Sequence, residues 1–599
     1  MSLLVWLPMT KDLTQQGISD ITVSNNGITL DSSNGKLGKC YYFDGNAHYL
    51  QFSKSVGDLY SGDFSYAVWL KPTDDTRSII CSEYSASGAS GIAFELTASR
   101  QIRLYWNGSP DIYATGCVLP KDVWTHCAIT RSGNVAKFYM NGILTYTYEG
   151  TLANKTSTAN IRLGDDYRGG SSVTYMGYMN DFRLYNHCLS AKEVEILSRG
   201  LVAHYPLNDG GRGGDNILKG TNLGKSGWVW SAASGSRSVE TYDVTGVKMT
   251  VVEVGSSWNM WYFTSANLAS SLQPDTDYTV SVDILPPQDA NINCGIIQTN
   301  SSNPICPFVL QSVKANKWNH LVFNLHSNSS FTASNQVVYM NGIAPDTVGK
   351  TIYLKNLKME LGTVATPWMP NPSDTAYTTM GYNSTTEYDV SGYQNDMTKT
   401  GTITYTSDSA RYSVASHFIN GSYIMANQNC GEYLPKDSLT VNLWIKPTTW
   451  GTPISCTEGG GWNFESYNNN LQFQCYISGV GYKGAASTVP HSTLMDGKWH
   501  MLTGTFDRIA QQTKFYIDGE LKGTNSTSSS NAVGYANNRL IISGEAQSTT
   551  PASSYFVGEE SDVRIYATAL TADQVLDLYK SSASVANNGT LIGYEFIEN

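Results

Sequence analysis

Apolar and polar residues alternate in short runs along this chain, and one such pattern is spelled twice. The first copy is Met179 to Leu207, MNDFRLYNHCLSAKEVEILSRGLVAHYPL. The second begins at Ser561, SDVRIYATALTADQVLDLYK, and after a polar spacer reads LIGYEF over Leu591 to Phe596. In each copy an acidic residue, Asp181 or Asp562, opens a strand of period two. Phe182 and Leu184 take one face; Asp181, Arg183 and Tyr185 take the other. A capped helical turn follows. Ser190 with Glu193, and Thr571 with Gln574, fit the reciprocal Ser/Thr-x-x-Glu/Gln cap. Val194 with Leu197, and Val575 with Leu578, are i,i+3 apolar pairs that hold the turn on a core. Strand, closing turn and new strand mark a domain boundary, so the chain contains a repeated domain.

The remaining pattern predicts further strands separated by Gly, Asn and Asp turns. Leu3 to Leu7, Cys40 to Gly45, Phe64 to Pro72, Trp124 to His126 and Phe138 to Gly142 come first. His417 to Gly421, Leu439 to Pro447, Trp499-His500 and Phe515 to Gly519 answer them in the same order. The same interval separates Trp69 from Trp124 and Trp444 from Trp499, a strong repeat signal. Asn141-Gly142 is the pair a tight hairpin prefers. A Trp followed by a His at a strand start (Trp124/His126, Trp318/His320, Trp499/His500) reads as a framework feature.

The second copy opens with Leu201 to Leu207, yet its continuation at Asp389 to Asn395 lies far downstream. Between them Tyr278 to Ile284, Trp318 to Phe323 and Thr351 to Glu360 read as strands of a separate unit. Exposed loops tolerate such insertions. The expected organisation is a jelly roll over 1–199, a second, discontinuous jelly roll over 200–214 plus 375–599, and an inserted β-sandwich over 215–374. The fold class is all-β: three antiparallel β-sandwich (jelly-roll) domains with only short helical turns. LIGYEF has no domain after it to open, so it is expected to pair with an edge of its own sheet rather than with a partner.

Composition narrows the function classes. Charged residues are only 15%, with 54 Gly and 38 Tyr, which suits strands joined by polar loops. A net charge of −11 argues against general nucleic-acid binding, which needs clustered Lys and Arg. No run of about 18 apolar residues exists to span a membrane. No charged-then-apolar leader precedes Leu3, so a signal peptide is not expected. Cys81, Cys127 and Cys475 sit in apolar runs and no Cys-x-x-Cys occurs. Reduced thiols and no zinc site follow. Without heptads or collagen-like repeats, a coiled-coil trimer stalk is not expected.

The W-[LI]-K-P strand, the Trp followed by His, the F-Y-[MI]-[ND]-G hairpin and the closing D-x-R-[LI]-Y…L-[ST]-A together resemble laminin-G-like, concanavalin-like jelly rolls. In the middle unit, Asn216-Ile217-Leu218 and the run Lys358 to Gly362 with Ala365 to Trp368 resemble carbohydrate-binding-module-like sandwiches of phage tail and tail-fibre proteins. The resemblance implies a non-catalytic virion-surface protein, made in the host cytoplasm. Its partners would be other virion proteins and bacterial-surface or mucus glycans, in receptor binding or adhesion. A structural decoration or connector protein is the alternative.

The resemblance also implies a calcium ion (Ca2+) at Asp181 and at Asp562, with Asp44 a further candidate; the competing reading has these aspartates satisfying turn amides. Glycoside hydrolases of this fold pair carboxylates on one strand. The nearest approach, Glu387-x-Asp389, lacks a second Glu on the same face, and no G-x-S-x-G is present. No catalytic residue is assigned. Sugar contact needs exposed aromatic faces, for which Trp258, Trp261 and Tyr262 in SSWNMWYF, Trp106 and Trp462 are the candidates. Trp258 and Trp261 lie three apart, so a regular strand would point them to opposite faces.

Overall fold

Two long strands of the repeated motif, Met176–Tyr185 and Val557–Tyr566, each lie inside a sheet with strands on both sides. The computed structural model describes residues 3–588 apart from 18–20, 84–91, 107–109, 156–158, 167–172, 208–215, 222–236, 244–245, 253–260, 265–267, 269–271, 299–303, 332–335, 342–347, 362–367, 369–370, 372–384, 390, 407–414, 458 and 548–549. Leu591 to Phe596, expected to form a strand, lies outside the described residues.

In the first outer sandwich one sheet runs Ile143–Glu149, Val135–Met140, Thr125–Ser132, Phe64–Pro72, Met176–Tyr185, Cys40–Asp44, Thr29–Asp31, with Leu3–Leu7 also paired to Met176–Tyr185. The facing seven-stranded sheet runs from Asp111–Val118 to Val23–Asn26. Phe64, Tyr66, Val68 and Leu70 alternate inward and meet Phe94, Leu104, Phe138, Phe182 and Leu184. Period-two patterning therefore builds this core as read.

The second outer sandwich repeats the order with Glu520–Ser526, Gln512–Ile517, His500–Asp507, Ser438–Thr449, Val557–Tyr566, Ala415–Phe418 and Ile403–Thr406. The strand Leu201–Tyr205, from ahead of the middle unit, pairs with Val557–Tyr566 just as Leu3–Leu7 pairs with Met176–Tyr185. Between them in sequence lies a third sandwich. Its five-stranded sheet runs Arg237–Asp243, Gly246–Val251, Thr351–Leu361, Asp277–Leu285, Asn319–His326. Its four-stranded sheet runs Trp261–Thr264, Gln336–Asn341, Ala290–Gln298, Pro304–Val313. The fold is all-β and built of antiparallel sheets.

Both helix caps form. The Glu193 amide donates to Ser190 Oγ at 3.2 Å and the Ser190 amide to Glu193 Oε2 at 2.6 Å, opening the helix Ala191–Ser198. Thr571 and Gln574 exchange the same bonds at 3.0 and 3.3 Å. The second helix continues for 17 residues, Ala572–Asn588, longer than the expected turn. No Gly or Pro interrupts it before Gly589. Tyr579 stacks on Trp444 at 5.6 Å.

The outer sandwiches share a buried seam in which Trp6, Leu37, Trp69 and Val194 meet Val202, Tyr393 and Ala567. Lys11 Nζ donates across it to the carbonyls of Tyr393 and Gln394 at 3.1 and 2.8 Å. Gly392, at φ 86°, lies so close to the Trp6 indole that an added Cβ would be 2.1 Å from Cη2.

Two expectations change. The motif strand is not regular: Asp181 and Asp562 adopt φ of 56° and 55°, and the pairing register slips at each. Both are bulges, which turn the carboxylate while keeping Phe182 and Leu184 in the core. The Trp-His pairs are also not equivalent. His126 pairs in register with Trp69, but Met501 is the residue opposite Trp444, and His500 is opposite Ile445. A shift of one residue reverses the face. His126 is buried against Trp69, and burial pulls its pKa down to about 4. His500 instead lies between Asp518 and Asp496 at 2.8 and 3.2 Å. All ten cysteines are free thiols. Among the described residues no helix is long and apolar enough to cross a membrane.

Candidate functional site

The outer face of the middle sandwich's five-stranded sheet gathers aromatic rings from two strands and from the residue that leads into a third. In Asn319–His326, Leu321, Phe323 and Leu325 enter the core, which leaves Trp318 and His320 on the opposite phase. In Thr351–Leu361, Ile352 and Leu354 point inward and Tyr353 and Lys355 outward. The register of Arg237–Asp243 slips between Thr241 and Asp243, and Tyr242, at that slip, meets Tyr353. Tyr242 and Tyr353 lie 5.0 Å apart at 68°, and Tyr242 and Trp318 lie 6.1 Å apart at 43°. Tyr242 is 46% exposed and Trp318 37%. The rings are therefore contiguous, with Tyr242 and Trp318 open to solvent and Tyr353 half-buried beneath them.

A polar row borders them. Asp283 lies opposite both Lys355 and His320 in the sheet. Its Oδ1 is 2.7 Å from His320 Nδ1, and its Oδ2 accepts from Asn356 Nδ2 at 2.7 Å. Asn356, at φ 56°, forms the bulge that turns its amide toward Asp283. Lys355 Nζ stands 4.7 Å from the centre of the Trp318 ring. Flat aromatic faces beside fixed donors and acceptors suit a ligand with both C–H faces and hydroxyl edges.

The residues proposed from sequence have other fates. Trp106 is fully buried, stacked on Phe64 at 6.0 Å, and donates its indole N–H to the Ala153 carbonyl at 2.9 Å. Arg131 covers its face at 4.9 Å. Trp462 is likewise buried, its Nε1 donating to Tyr535 Oη at 3.2 Å. Neither presents a face to solvent, because each lies on the inward phase of its strand. Trp258 lies outside the described residues. Trp261 and Tyr262 are consecutive in the strand Trp261–Thr264, opposite Met340 and Tyr339, and their side chains lie outside the described residues. Tyr242, Trp318, Tyr353 and Lys355 were missed. The outward phase of Trp318 against Leu321, Phe323 and Leu325 was the available signal.

The carboxylates proposed for calcium are taken up by donors. Asp181 Oδ1 accepts from Trp6 Nε1 at 2.6 Å and from Arg183 Nε at 3.0 Å. Asp562 Oδ1 lies 2.9 Å from His204 Nε2 and accepts from Arg564 Nε at 2.9 Å. An indole N–H, an imidazole and guanidinium groups are the wrong neighbours for a hard cation, which wants several oxygens. These two residues do not fit calcium. Asp44 closes a turn, accepting from the Asn46 amide at 3.0 Å with His48 Nδ1 at 2.9 Å. Partial burial raises its pKa, but the Asn46 and His48 contacts outweigh that and hold it low. Among the described residues no group of three or more His, Cys, Asp or Glu could hold a metal.

Glu387 and Asp389 are equally committed. Glu387 is buried, accepts from the Leu207 amide at 3.1 Å and pairs with Lys399 at 3.2 Å. Asp389 accepts from the amides of His204, Ser391 and Asn395 at 2.9 to 3.0 Å. Both fix the strand Leu201–Tyr205 to its sandwich.

A family match covers the two outer sandwiches. Residues 44–195 and 418–576, just over half of the chain, match the family described as the concanavalin A-like lectin/glucanases superfamily. A stretch of 149 residues, 22% of this chain, is 26% identical to the adhesion G-protein coupled receptor V1 of Danio rerio, of which it spans 2%. Among solved structures, the binding domain of Paraclostridial mosquitocidal protein 1 is similar at 15% identity and a TM-score of 0.27, over 32% of this chain and 49% of that one. Domain 4 of AbnA, an extracellular arabinanase from Geobacillus stearothermophilus, in complex with arabinotriose, is similar at 19% identity and a TM-score of 0.28, over 33% of this chain and 98% of that one. On the two matched jelly rolls, the chain belongs to the concanavalin A-like lectin/glucanases superfamily.

Proposed function

We propose that this chain is a non-catalytic glycan-binding protein that serves adhesion, with the Tyr242–Trp318–Tyr353 surface as a contact site. The observation that carries the reading is the contiguous set of three rings, with Tyr242 and Trp318 exposed and Tyr353 half-buried, beside the ordered Asp283, His320 and Asn356 row. Pyranose rings stack their C–H faces on such rings while their hydroxyls meet the polar edge. Membership of a lectin-containing superfamily supports binding. The commitment of Glu387 and Asp389 to backbone amides and Lys399 supports binding over hydrolysis. Display on a virion surface, against bacterial-surface or mucin glycans, extends the same proposal from the resemblance of the domain string. Asp44 is the calcium candidate that stays within it.

A glycan array probed with the purified chain tests this. Binding that disappears in Trp318→Ala supports adhesion. A flat array, with the protein at regular sites on a phage capsid, would favour a decoration role. Release of reducing ends from capsule or mucin would favour an enzyme.

A further inference from the structure

We infer that the glycan taken by the Tyr242–Trp318–Tyr353 surface carries an acidic group, a carboxylate or a sulfate, read by Lys355; this rests on the glycan-binding reading above. Lys355 forms no ion pair among the described residues, and its ammonium stands against the Trp318 indole. Its cross-strand neighbour Asp283 is already engaged on both oxygens, by His320 and by Asn356. Two other lysines in the same sandwich are neutralised, Lys248 by Glu240 at 3.5 Å and Lys314 by Asp289 at 2.8 Å. Among the described residues Lys355 is thus a cation with no ion-pair partner, held at the face of a ring that is 37% exposed.

The geometry favours a ligand that meets both features. A sugar ring on Tyr242 and Trp318 places its substituents within reach of a flexible lysine at the ring's face. An ammonium held on an indole exchanges that contact for a charge-assisted hydrogen bond when a carboxylate or sulfate arrives. A neutral sugar offers Lys355 no such exchange. Lysine suits either anion because it acts as a point charge without a fixed fork.

The test is an array that includes polygalacturonate beside its methyl ester and dextran sulfate beside dextran, among other pairs that differ only in the acidic group. Wild-type chain should bind acidic members at least about 10-fold better than their neutral partners at low salt, and added salt should narrow the gap. Lys355→Gln should erase the difference, Lys355→Arg should keep most of it, and Trp318→Ala should remove binding to both members. Which pairs respond separates a carboxylate from a sulfate. Equal binding of neutral and acidic partners, or an unchanged preference in Lys355→Gln, overturns the inference while leaving glycan binding intact. Acidic binding that survives Trp318→Ala is nonspecific polyanion attraction and also overturns it. Binding to no glycan overturns the glycan-binding reading itself.

Discussion

Trp6 donates its indole proton to Asp181 at 2.6 Å, tying the first strand of the first sandwich to its last. In the second sandwich His204 stands in the same relation to Asp562, at 2.9 Å. In both, an arginine two residues on, Arg183 or Arg564, binds the same carboxylate. The repeated Asp-x-Arg is thus a buried clamp that closes each jelly roll.

Removing one charge from the clamp leaves an arginine uncompensated, fully buried at Arg564 and largely buried at Arg183. Asp181→Asn or Asp562→Asn should destabilise its sandwich by about 3–5 kcal/mol in urea unfolding. A loss below about 1 kcal/mol would show that the clamp does not hold the strand.

Glu560 points into the core of the second sandwich, and among the described residues neither of its carboxylate oxygens has a hydrogen-bond partner. Its counterpart in the first sandwich is Met179: both stand opposite the residue that follows the repeated tryptophan, Ile445 after Trp444 and Leu70 after Trp69. Burial raises its pKa well above the ordinary carboxyl range. A carboxyl with a raised folded pKa contributes stability at low pH that is lost as pH rises through that value. Glu560→Met should stabilise the protein by about 1–3 kcal/mol near neutral pH and flatten its alkaline loss of stability. Thermal melts from pH 5 to 9 measure this; a less stable variant would contradict it.

His500 has the opposite cause and the same sign. Desolvation lowers its pKa, but Asp518 and Asp496 outweigh it and the net shift is upward. Its contribution is fully present below the unfolded value of about 6.5 and is lost as pH rises through the raised folded value. A proton NMR titration should find His500 above 6.5, and His500→Gln should remove part of the fall in stability between pH 6 and 8. A titration at or below 6.5 would refute the assignment.

The seam between the outer sandwiches depends on Gly392. Gly392→Ala puts a methyl against Trp6 and forces a side chain into the left-handed region. Calorimetry should show the two jelly rolls, unfolding together in the wild type, separating into distinct transitions. An unchanged thermogram would mean the seam does not couple them.

Much of the fold was legible because its signals are local. The caps at Ser190/Glu193 and Thr571/Gln574 and the inward phase of Phe182 and Leu184 follow from spacings within one element. What was not legible depends on register between elements. The bulges at Asp181 and Asp562 reorient a carboxylate without altering the apolar pattern. His126 and His500 differ by one position relative to the partner tryptophan, which a count from Trp124 and Trp499 cannot resolve. Trp106 and Trp462 resemble platforms by residue type but occupy inward positions. The aromatic surface comes from three segments far apart in sequence, so no window of the chain contains it.

The most direct measurement is isothermal titration calorimetry of the full chain and of Trp318→Ala against the array's strongest glycan. Saturable binding at the Trp318 surface is expected in the wild type, with its loss in Trp318→Ala at an unchanged melting temperature and no reducing ends released during the titration. Equal affinity in the two proteins would contradict it, because the rings around Trp318 would then not be where the sugar sits.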